Sequence, residues 1–178
     1  METIIGLVPP EPGEYNSFYK KYVDLVAEAA IPEHMEIQEK YMASLFGGLE
    51  KSKHSLSYGP EKWNFKQVLG HIVDTEKIMH FRALCICRGE MADFPGFDQE
   101  AYVKSAFFDQ MEMEAILDAF IIHRQSFKHF MKAVPEGSWL NTGTVRGHPM
   151  SVRALVYISL GHLEHHIQLL NEKYVPLI

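Results

Sequence analysis

Residues Ser151–Tyr174 read SVRALVYISLGHLEHHIQLLNEKY, with no proline and a single glycine, Gly161. Apolar residues recur here at helical spacing for about six turns. Leu155, Ser159, His162, His166 and Leu169 make one stripe, apolar at both ends, so this face turns to a protein interior. Residues four apart lie about 40° apart around a helix, which lets His162 and His166 point at one ion. His165 is rotated about 100° away, onto the more polar side with Ile158, Gly161, Gln168 and Glu172. A second apolar stripe runs through Val152, Val156, Leu160, Leu163, Ile167, Leu170 and Tyr174. A helix buried on two sides belongs at the centre of a bundle or at a subunit interface.

Two histidines facing an interior need partners, because an unpaired buried imidazole nitrogen costs about 1–3 kcal/mol. Either each is satisfied by a carbonyl or carboxylate, or both ligate a metal, and ligation calls for a third donor. The helix expected from Phe65 to about Gly89 offers one. Asn64 is a good N-cap with Gln67 at N3, and Trp63 and Val68 are placed as a hydrophobic staple. His71 lies two turns in, whereas His80 is about 180° from it. The alternative for His71 is a core histidine satisfied by its surroundings. Asp74 is a candidate oxygen ligand or orienting carboxylate; otherwise it is a solvated carboxylate. Arg82 points within about 20° of His71, some three turns further on. It can meet an anionic group, or form a salt bridge to Asp98 or Glu76.

Two more long helices complete the frame. One starts at Pro32 and ends near Gly47–Gly48. The other is expected to be capped by Asp109, with Glu112 at N3 and Phe108 and Met113 as staple, and to stop before Pro135. His123 and His129 on it lie about 120° apart and are read as surface or core residues. The connection 89–108 is long enough to cross a bundle and carries Asp98 and Tyr102 as candidate lid residues. TGTVRGHPM, which contains His148, suits a short extended pair. Pro9, Pro10 and Pro12 rule out an early helix, so residues 1–31 are expected to form a peripheral segment, with a helical turn or two in Tyr15–Ala30. The expectation is an all-α, four-helix bundle with a long crossover, one domain over residues 1–178, and little room for strands.

The chain has 178 residues, 47% of them hydrophobic, and a formal net charge of −6. The absence of a basic patch argues against nucleic acid as a partner. No apolar stretch is long enough for a membrane span, and the N-terminus, with Glu2 and no basic region, does not suit a signal peptide. Cys85 and Cys87 are about 200° apart on a helix and cannot pair, which suits reduced thiols in a cytoplasmic protein.

GHIVDTE in the second long helix, PGFDQEAYV in the crossover and SVRALVYISLGHLEHH in the last helix together resemble the DinB-like superfamily of metal-dependent proteins, which includes YfiT-like members. The resemblance runs from about Phe18 onward. It implies a divalent metal on three histidines, which match His71, His162 and His166. It also implies dimers through bundle helices, and activities that include S-transferases and an isomerase using low-molecular-weight thiols.

Three neutral imidazoles suit zinc or nickel, with iron, cobalt or manganese as further options, and leave a coordination position open. The expected function is therefore a metal-dependent enzyme acting on a small molecule, with a thiol as nucleophile in S-transferase-type chemistry. A hydrolase using metal-activated water is the alternative. A non-catalytic bundle stabilised by its metal is the alternative of another class, and a fourth protein ligand closing the site would favour it.

Overall fold

A computed structural model describes residue 4 and residues 6–178. Glu2 lies outside the described residues. Six helices are present among them: α1 Lys20–Val26, α2 Ile31–Gly47, α3 Phe65–Cys87, α4 Gln99–Ala106, α5 Met113–Lys132 and α6 Val152–Leu169. The four long ones, α2, α3, α5 and α6, form a closed ring in which α3 packs between α5 and α6, and α2 also touches both α5 and α6. This is the four-helix bundle expected from the periodicity. No helix among the described residues is long and apolar enough to cross a membrane.

Local chemistry sets the helix starts. Asn64 accepts from the Gln67 N–H at 3.0 Å while the Gln67 side chain accepts from the Asn64 N–H at 2.9 Å, closing a capping box. Ser151 Oγ accepts from the Ala154 N–H at 3.0 Å and starts α6. The expected cap of α5 differs: its N-cap is Glu112, without a side-chain bond. Asp109 instead sits in a 3-10 turn and accepts from Asn64 Nδ2 at 2.5 Å and Gln67 Nε2 at 3.1 Å. The tertiary link to the start of α3 outcompetes the local cap.

Every residue from Val152 to Leu163 is buried, so α6 is the central helix and its two apolar stripes are covered within one chain. One cover is α1. Val23 and Val26 are buried core residues, so this part of the N-terminal segment is built into the domain, where a peripheral position was expected. Gly161 makes the close approach possible. Glu14 then ties the N-terminal segment to the start of α6, accepting from Ser151 Oγ at 2.6 Å and from Arg153 Nε at 2.8 Å, with a second, shorter contact to Arg153 Nη2.

The crossover is more ordered than a loop. It contains α4 and a short strand, β1 Asp93–Phe94, which adds in parallel to the hairpin of β2 Thr142–Val145 and β3 His148–Ser151. The hairpin was expected and the third strand was not. Arg146 and Gly147 form its two-residue turn with φ of 52° and 74°, the left-handed pair that such hairpins need. Gly147 N–H donates to the Asp93 carboxylate at 2.9 Å, which pins the crossover to the hairpin.

The core falls into two apolar clusters. One includes Met79, Phe127, Leu155 and Leu160; the other includes Leu69, Ile72, Phe120, Leu163 and Leu170. Between them lies a layer of buried polar side chains, among them Gln38, His71, Thr75, Glu76, Arg124, Ser159, His162 and His166.

Candidate metal centre

His71 comes from the second turn of α3, and His162 and His166 from adjacent turns of α6. The packing of α3 on α6 brings all three into one buried group whose ligand atoms lie within 4.8 Å of one another. His162 Nε2 is 3.1 Å from His71 Nε2 and 3.2 Å from His166 Nε2. Two nitrogens bound to one tetrahedral zinc at about 2.0–2.1 Å stand about 3.3 Å apart, so the spacing fits a shared ion. Nδ1 of His162 and Nδ1 of His166 are buried and meet no protein partner, so every polar contact of these two rings is made by the nitrogen turned inward. Burial holds the His71 imidazole down to about 4. Burial, and then the neighbouring rings, hold His162 and His166 well below the ordinary value. All three are therefore neutral near pH 7, which is the ligating form.

Aromatic rings fix the imidazoles from behind. Trp63 lies 4.6 Å from the His71 ring and Tyr22 lies 5.4 Å from the His162 ring, centroid to centroid. Among the described residues no fourth Cys, Asp, Glu or His joins the group. Two openings flank it. A cleft of about 460 Å³ reaches His162 past Tyr22, Thr75, Met79 and Phe97. A smaller one of about 200 Å³ reaches His166 past Trp63 and Glu100. Lewis-acid chemistry with an open position facing a cleft is what such an arrangement can support.

The other sequence candidates fall in different places. Asp74 does not join the histidine group; burial raises its carboxyl, against a smaller opposing pull from Lys77. Arg82 is buried and donates to the Pro95 carbonyl at 2.6 Å. Neither expected salt bridge forms, because Glu76 pairs with Arg124 at 2.6 Å and Asp98 caps α4 by accepting from the Glu100 and Ala101 N–H groups. Asp98 lines the larger cleft. Tyr102 is exposed and packs on Phe97 with centroids 5.3 Å apart. His165 stays on the other face, against Tyr22. His123 meets His80 across α3 and α5, away from the site. Tyr22, Thr75 and Trp63 were not singled out from the sequence as site residues. Trp63 carried a signal as a staple beside Asn64, and Thr75 as the residue four on from His71.

A ring of four helices with three imidazoles meeting between two of them defines a class: helical bundles with an inward-facing three-histidine centre. The chain belongs to the DinB superfamily, whose family model matches residues 34–170. Among solved structures it is similar to YfiT from Bacillus subtilis, described as a probable metal-dependent hydrolase with an unusual four-helix bundle topology. That likeness has a TM-score of 0.68 at 12% identity and covers 94% of this chain and 92% of that one. At this identity it speaks for the fold. No curated protein matches the sequence.

Proposed function

We propose that the protein is a metal-dependent enzyme that holds a divalent ion, zinc or nickel first, on His71, His162 and His166, and works on a small electrophile in the adjoining cleft. One observation carries this reading: three neutral imidazole nitrogens converge with no fourth protein ligand among the described residues, beside an opening that reaches His162. A closed structural site would lack that vacancy. When bound, the ion supplies Lewis acidity and lowers the pKa of a water or thiol in its open position.

The chain's own groups do the rest. His71, His162 and His166 offer lone pairs without first losing protons. Trp63 and Tyr22 keep two of the rings in place. Tyr22, Met79 and Phe97 give the cleft an apolar wall that limits water beside the reacting atoms. In the S-transferase reading the thiol releases its proton to solvent water, its sulfur bonds to the electrophilic carbon, and the leaving group departs with the electron pair of the broken bond. The family resemblance supports a thiol. The hydrolase reading places water in the same role, and the description of YfiT favours it.

The two separate in one experiment. Zinc-loaded and nickel-loaded protein is given an activated aryl halide with a panel of low-molecular-weight thiols, and an activated ester without thiol. Metal-dependent thiol consumption that is lost in His162→Ala supports the transferase; ester cleavage alone supports the hydrolase. Stoichiometric metal with neither reaction would point to a metal-stabilised binding bundle. No metal uptake would remove the catalytic reading.

A further inference from the structure

Arg82 is a buried cation with no counter-ion among the described residues. Only 4% of its surface is exposed. Its guanidinium donates to the Pro95 carbonyl at 2.6 Å, touches Met79 Sδ at 3.8 Å and stands 5.9 Å from the Phe97 ring. No carboxylate among the described residues comes within ion-pair distance of it. The carboxylates that line the same cleft are committed elsewhere: Asp98 caps α4, and Glu100 accepts from the Trp63 indole at 3.1 Å. Burial lowers the guanidinium pKa, and the groups that offset this are the hydroxyls of Tyr19 and Tyr102, not an acid. Charged groups are retained in protein interiors when they are paired, and no acidic side chain among the described residues pairs with Arg82. Two more cations line the cleft, Lys21 and Arg146. The backbone of Gly96 admits the Arg146 side chain, since a Cβ there would stand 2.6 Å from Arg146 Cδ.

We propose that Arg82 completes its charge pairing with an oxyanion, a carboxylate or phosphate, carried by the small molecule that enters the cleft toward His162. This deepens the functional reading above and rests on it for the identity of the reacting end. Arg82 lies eleven residues beyond His71 on α3, its guanidinium reaches back as far as Met79 Sδ, and it shares the cleft with His162, so one small molecule can meet both. The guanidinium fork fixes the anionic end. Lys21 and Arg146 at the mouth draw the ligand in and are screened by salt.

The test is a titration of the full chain with inorganic phosphate and, separately, succinate, followed by calorimetry, on zinc-loaded and chelator-treated samples. Wild type binds at least one of the two anions in both metal states, and the tighter one identifies the oxyanion class. Arg82→Gln, which removes the charge and keeps a polar side chain, weakens binding by about tenfold or more. Arg82→Lys keeps the charge, loses the fork and falls between. Arg88→Gln, an exposed control, matches wild type. Equal affinities in wild type and Arg82→Gln, or no anion binding by wild type, would overturn the proposal. Zinc stoichiometry on the same samples reports the metal reading separately. If zinc fails to bind, the chelator-treated titrations still decide the role of Arg82.

Discussion

The carbonyl oxygen of Tyr22 lies 2.0 Å from where a Cβ on Gly161 would stand. The obstacle is the backbone of α1, which cannot swing aside as a flexible side chain could. Gly161→Ala therefore displaces α1 or bends α6 beside His162, whose ring Tyr22 also contacts. The expected loss is about 3 kcal/mol or more, read from urea midpoints, together with weaker metal binding. A change under about 1 kcal/mol would show that α1 is loosely held.

Metal binding and folding are linked if the histidine group forms only in the folded chain. Zinc at a thousand times its dissociation constant then stabilises the protein by about 4 kcal/mol. His162→Ala removes the thermal shift, and His71→Ala and His166→Ala reduce it strongly. His165→Ala, on the other face of α6, leaves it intact. A shift that survives in His71→Ala would exclude α3 from the site.

The periodicity of α6 and the capping residues of α3 made the bundle and the histidine pair legible, because both are local properties of spacing. His71 had two readings, ligand or satisfied core histidine, and the family resemblance pointed to the ligand. What could not be read depended on packing between distant segments. Asp109 had every local mark of a cap, but Asn64 and Gln67 claim its carboxylate. Arg82 had Asp98 and Glu76 as expected partners, but Asp98 caps α4 and Arg124 from α5 takes the Glu76 carboxylate. Tyr22 sits in a segment whose sequence shows no strong helical pattern. Its place beside His162 depends on the absence of a side chain at Gly161.

Glu14 makes the start of α6 sensitive to acid. Burial pushes its carboxyl up, but Arg153, Ser151 and the Glu11 N–H outweigh this and hold it at about 2, against an ordinary 4.5. A depressed folded pKa gives stability that is present above 4.5 and is lost as pH falls toward 2. Glu14→Gln costs about 1–2 kcal/mol at pH 7, and the deficit relative to wild type shrinks in urea melts at pH 3. A deficit of the same size at both pH values would assign the effect to packing.

His123 acts at milder pH. Burial first, and then the nearby His80, bring it from 6.5 to about 4. Above 6.5 it is neutral in both states. Below 6.5 the unfolded chain takes up a proton that the folded chain refuses, so stability falls between pH 6.5 and 4. His123 is partly solvated, so screening reduces the effect to about 1 kcal/mol. His123→Phe, which keeps a ring against Phe127, should flatten the melting temperature across that range. An unchanged slope would place the acid sensitivity elsewhere.

Arg124 and Glu76 pair at 2.6 Å with side-chain exposures of 0% and 1%. Gln38 completes the link by accepting from Arg124 Nη2 at 3.1 Å and donating to the Leu160 carbonyl at 3.0 Å, so α2, α3, α5 and α6 share one polar contact beneath the histidines. Breaking a buried pair strands a charge, and Arg124→Met is expected to cost about 3–5 kcal/mol. The combination of Glu76→Leu and Arg124→Met strands none and should cost far less than the sum of its parts, with a coupling of about 2 kcal/mol. Burial already pushes the Glu76 carboxyl up against the pull of Arg124. Without Arg124 it rises further, and the folded chain takes up a proton there. The deficit of Arg124→Met is then smallest at low pH and grows as pH rises through the raised pKa. Additive single and double mutants, with no pH dependence in the arginine variant, would mean that the pair contributes volume rather than charge.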